Sequence, residues 1–101
     1  IYACRAWVNF DGNVSPPSIR GSGNVSSITD DGVGLFTANF TTAMPDANFA
    51  VTIAGQDSAF NRLNRTLMGR AKSTTEAEIS SVVPNNNSPE DLAHYNIAVF
   101  R

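Results

Sequence analysis

Apolar residues in this chain recur at every second position, and no stretch of ten or more shows the three- and four-residue spacing of a helix. Cys4, Ala6, Val8 and Phe10 alternate with Ala3, Arg5, Trp7 and Asn9. Phe36, Ala38 and Phe40 alternate with Thr37 and Asn39, and Phe49, Val51 and Ile53 with Ala50, Thr52 and Ala54. Successive strand side chains point to opposite faces, so each run buries one face and leaves the other to solvent or a partner. Gly, Pro and Asn interrupt these runs at short intervals. The constraint is severe: the chain has to fold as short strands joined by turns.

Further strands are expected around Ile19, over residues 66–72, over 76–83 with Ala77, Ile79 and Ser81 on one face, and over 94–101. Residues 24–30 and 33–40 read as the arms of a hairpin around Asp31-Gly32, since Gly tolerates positive φ and Asp nearly so. Met44-Pro45-Asp46 marks a connection, and residues 84–89 an exposed loop, because prolines at both ends cannot continue a ladder. The last strand sets Tyr95, Ile97 and Val99 opposite Asn96, Ala98 and Phe100, which predicts cover on both its faces. Six to eight such strands specify an all-β domain, a small antiparallel β-sandwich spanning residues 1–101 as a single unit. The chain opens on Ile1 already in strand pattern, so a domain of a longer protein is expected.

Composition narrows the function. Seven Lys and Arg stand against nine Asp and Glu, for a net charge of −2, and only 16% of residues are charged. A surface so poor in cations has little with which to neutralise phosphates, so nucleic acid is disfavoured. No apolar run approaches the roughly 18 residues of a membrane-spanning helix. A single Cys4 excludes an internal disulfide.

Chemistry-bearing residues are few. Glu76 and Glu78 lie two apart on one strand face, about 6.5 Å by strand rise, but a solvated face explains them without catalysis. Asp30-Asp31 reads as turn chemistry, and no nucleophile elbow accompanies the many serines. The expectation is a binding protein, not an enzyme, with no cofactor. Residues 56–65 form a polar turn in which Gln56, Asp57, Asn61, Arg62, Asn64 and Arg65 crowd together beside Phe60. Amides, guanidinium groups and a carboxylate satisfy sugar hydroxyls with paired hydrogen bonds, so these six are the candidate ligand-binding residues. Arg5 and Trp7 share the face opposite Ala6 and Val8. An intersubunit contact is the expected cover for them, with Tyr95 assigned to the same interface; the alternative is a sugar ring stacked on the Trp7 indole.

Four ordered blocks carry a resemblance. Ala3-Cys4-Arg5-Ala6-Trp7-Val8-Asn9-Phe10, Gly23-Asn24-Val25-Ser26-Ser27-Ile28-Thr29-Asp30 and the run from Phe40-Thr41-Thr42-Ala43-Met44-Pro45-Asp46 to Val51, closed by Asn96-Ile97-Ala98-Val99-Phe100-Arg101, resemble a domain recurrent at the C-terminal ends of tailed-bacteriophage tail fibres. The resemblance implies a homotrimer at the distal end of the fibre on the virion, made in the bacterial cytoplasm. It implies attachment to a host surface polysaccharide or lipopolysaccharide; the alternative is a trimerisation cap that registers the fibre chains. A weaker similarity, over residues 51–71, points to the H-type lectins, with Arg65 at their arginine position. Those lectins carry a Trp-His pair where this chain has Val83-Pro84-Asn85, so their sugar chemistry does not transfer. In a trimer His94 has two symmetry copies, which makes it a weak candidate for a three-histidine metal site; a loop histidine bonded to backbone is the preferred reading, and no metal is expected.

Overall fold

The structure is a computed structural model that describes residues 3–56, 66–83 and 88–101. The described residues form nine strands and no helix: β1 (Cys4–Asp11), β2 (Ser18–Gly23), β3 (Val25–Gly32), β4 (Leu35–Phe40), β5 (Ala50–Gln56), β6 (Thr66–Ser73), β7 (Glu76–Val83), β8 (Ser88–Pro89) and β9 (His94–Phe100). One sheet, here sheet A, has the order β2-β1-β9-β5. Sheet B runs β3-β4-β7-β6, with β8 paired to β7. Every pairing is antiparallel. The two sheets pack face to face as the alternation predicts.

Inward residues of both sheets make one core. Ala6, Val8, Phe10, Tyr95, Ile97 and Val99 come from sheet A, and Phe36, Ala38, Phe40, Ala77 and Ile79 from sheet B. At one end the rings of Phe10, Phe36 and Tyr95 lock together, with centroids 4.8 Å apart for Phe10–Tyr95 and 5.3 and 5.2 Å for the two edge-on contacts with Phe36. At the other end Phe40 meets Phe49 at 5.5 Å. Each such pair adds roughly 0.5–1.5 kcal/mol beyond area burial.

Three details depart from the sequence expectation. The β3–β4 hairpin turns at Val33-Gly34, not Asp31-Gly32. β3 continues to Gly32, Asp31 is the extra residue of a bulge between the pairs Asp30–Phe36 and Gly32–Leu35, and Gly34 takes the positive φ of 67°. Asn24 does not belong to the strand after it: it is the corner at which the chain leaves sheet A for sheet B. Its φ of 57° suits a short polar side chain, and its side-chain Nδ2 donates to the carbonyls of Arg5 and Thr42 while its Oδ1 accepts from the Thr42 N–H. Ser88-Pro89 returns to the ladder against Val83 and Val82, where a loop alone was expected.

Candidate functional site

Tyr95 has to be reassigned. Expected at an interface between subunits, it is fully buried in the chain's own core, between Phe10 and Phe36. Its hydroxyl lies 2.6 Å from Ser81 Oγ and accepts from the Leu92 N–H at 3.1 Å, while Ser81 Oγ donates to the Glu90 carbonyl. Inward orientation of a tyrosine is sustainable because these partners, brought from β7 and from the segment before β9, satisfy its polar end. Burial pushes its pKa up from the ordinary value.

Trp7 lies on the outer face of sheet A, as alternation required. Arg5 is exposed as well, but as the unpaired residue of a bulge between the pairs Cys4–Phe100 and Ala6–Val99, which interrupts the alternation and leaves Cys4 exposed too. The register sets two adjacent rows across that face. Gly23, Trp7, Ala98 and Thr52 form one, and Gly21, Asn9, Asn96 and Ala54 the next. The indole lies along β2. A Cβ built on Gly23 would sit 2.4 Å from Trp7 Nε1, and one on Gly21 3.3 Å from Cη2. The missing side chains of β2 are thus what gives the ring its seat, an aromatic laid over the glycines of a neighbouring strand. Trp7 stays 47% exposed, and beside it runs a trough of about 380 Å³ lined by Trp7, Asn9, Thr52, Ala54, Asn96 and Ala98. That volume falls at the small end of ligand sites.

A polar chain runs into this trough. Arg20 donates through Nη2 to the Ala93 carbonyl at 2.6 Å and through Nη1 to Asn9 Oδ1 at 3.3 Å, with Asp11 3.7 Å from its guanidinium. Asn9 Nδ2 in turn donates to Asn96 Oδ1. Thr52 Oγ1 donates to the Ala98 carbonyl at 3.1 Å, which leaves its lone pairs to accept. No charged side chain lines the trough among the described residues.

The remaining candidates fall elsewhere. Gln56 ends β5 opposite His94, the first residue of β9. Asp57, Asn61, Arg62, Asn64 and Arg65 lie outside the described residues, as do residues 84–87. His94 is half-buried, and no group of three His, Cys, Asp or Glu side chains gathers as a metal site among the described residues. Glu78 is held by Arg70 at 2.7 Å and Glu76 accepts from Ser73 Oγ at 3.1 Å. Asp30 caps the Gly32 N–H and Asp31 accepts from Thr37 Oγ1, so both acids serve the bulged hairpin.

Sequence reading marked Trp7 but missed its seat and its polar neighbours. The signal was present in Gly21-Ser22-Gly23, two glycines on one face of a strand beside a tryptophan strand. The pairing that aligns them passes a bulge between Asn9 and Phe10, which periodicity does not locate. Comparison of the chain with family models, curated proteins and solved structures gives no match.

Proposed function

We propose that this chain is a host-attachment domain of a bacteriophage tail fibre, acting as a homotrimer at the distal end of the fibre and binding a bacterial surface glycan, with the outer face of sheet A as its binding face. The observation that carries the reading is Trp7, a half-exposed indole seated on Gly21 and Gly23 beside a trough that mixes small apolar groups with amides. Aromatic faces and planar amides are the groups that meet the C–H faces and hydroxyls of sugars. The sequence resemblance supplies the fibre, the trimer and the H-type-lectin-like relationship. A binding module suits the surroundings better than an enzyme, because the paired acids Glu76 and Glu78 are already engaged by Ser73 and Arg70.

Three weak sites per fibre and several fibres per virion supply avidity, so single-site affinity need only be modest. The test is a glycan array probed with the 101-residue chain, followed by competition of the chain against phage adsorption. Binding to bacterial surface glycans and inhibition of adsorption are the expected results. An array without a single specific signal removes the attachment reading and leaves the domain as a trimerisation cap.

A further inference from the structure

We infer that the Trp7 trough takes a neutral pyranose, stacked on the indole and read by Asn96 and Thr52, with Asn9 and Arg20 as positioning residues. The inference rests on the attachment reading and adds to it the site and the class of sugar. Three features converge. The ring is pre-set: Gly23 and Gly21 hold it along β2, so little side-chain freedom is left to lose on binding. The lining is uncharged, so an ionised sugar would be stripped of water with no opposite charge to meet it, whereas a neutral ring loses nothing comparable. The polar chain from Arg20 through Asn9 fixes the Asn96 amide by its oxygen, and Asn96 Nδ2 keeps its two hydrogens, with no acceptor among the described residues.

Holding an exposed amide in one orientation costs conformational freedom and contributes little to stability at the surface. It does pre-orient a donor pair for a ligand. Across the sheet, Thr52 Oγ1 offers an acceptor in the same row as Trp7 and Ala98. A pyranose lying over Ala98 with its C–H face on the indole therefore meets donors on one side and an acceptor on another. Arg20 does not touch this ligand; it acts through Asn9 on Asn96.

Trp7 is the one tryptophan of the chain, so its emission reports this site alone. The probes are methyl glucoside, galactoside and mannoside, with glucuronate and sialic acid as charged controls, together with whichever array glycans bind. At least one neutral probe should change the emission saturably in the millimolar range, and the charged controls should not. Trp7→Ala should weaken array binding by about tenfold or more, Trp7→Phe by less, and Asn96→Ala by about fivefold. Arg20→Ala should weaken binding in the wild-type chain and add nothing in the Asn96→Ala background, a non-additivity that a general structural role would not produce. Glycan binding that persists at the wild-type level in Trp7→Ala and Asn96→Ala overturns the site while leaving attachment intact. A saturable response to charged sugars alone overturns the ligand class. Absence of binding to every glycan is the distinct outcome that removes the attachment reading beneath it.

Discussion

A single hydroxyl, that of Tyr95, ties β7, the segment before β9 and the aromatic cluster together. Tyr95→Phe keeps the ring but leaves the Leu92 N–H without its acceptor, and should cost about 1–3 kcal/mol in a denaturant titration. Burial raises its folded pKa, so its contribution is complete below the ordinary tyrosine value and is lost as pH climbs through the folded value. Wild type should accordingly lose stability more steeply than Tyr95→Phe above about pH 10. Asp46 has the opposite sign. The Arg101 guanidinium, bonded to it at 2.8 and 2.6 Å, and then the Asn48 N–H hold its pKa down at about 2 from 3.8. That stabilisation is present above the unfolded value and fades as pH falls through the folded one. The difference in melting temperature between wild type and Asp46→Asn should hold from neutral pH to about 4 and close below it. None of the Tyr95 partners was legible from sequence, because Ser81, Glu90 and Leu92 reach it only through the fold. A tyrosine on a strand apolar on both faces therefore looked like an interface residue.

At the scale of elements, alternation was enough to find the strands, since a period of two survives any choice of partner. Turns were less legible. Asp31-Gly32 outranks Val33-Gly34 on local chemistry, yet the turn moves two residues on because Gly34 has to meet β7. Its carbonyl accepts from the Ser81 N–H at 2.9 Å, its N–H donates to Asp91 Oδ1 at 2.6 Å, and a Cβ there would lie 2.4 Å from the Ser81 carbonyl oxygen. Gly34→Ala should cost about 2–4 kcal/mol by combining left-handed strain with a backbone clash. Gly32→Ala, where φ is 146° and nothing stands within 4 Å, should cost less by the same denaturant titration, because only the strain remains. Of the cover expected on the two faces of β9, the chain itself supplies one: sheet B covers Tyr95, Ile97 and Val99, while Asn96 and Phe100, the latter 38% exposed, face away from the core.

For the molecule as a whole, a radius of gyration of 12.9 Å is close to the roughly 13 Å of a compact 100-residue domain, so the core closes within one chain. A trimer that keeps the Trp7 face free has to bury another surface. The β5 edge qualifies: Ala50–Gln56 carries no charge and no proline, the usual guards of an edge strand, and Val51 and Ile53 are only half-buried. Light scattering of the chain should give three times 10.8 kDa, unchanged in Trp7→Ala. A 10.8 kDa particle at micromolar concentration would remove the trimer, and dissociation by Trp7→Ala alone would return that residue to an interface. Sheet A also sets a timetable. Its two central strands, β1 and β9, come from opposite ends of the sequence, so β1 has no permanent neighbour on that side until some eighty residues later in synthesis. The local hairpins β1–β2, β3–β4 and β6–β7 are able to form early, whereas sheet A is complete only when β9 joins β5 to the β1–β2 pair. Folding is then slow for so small a domain, and its pace is set by one long-range closure.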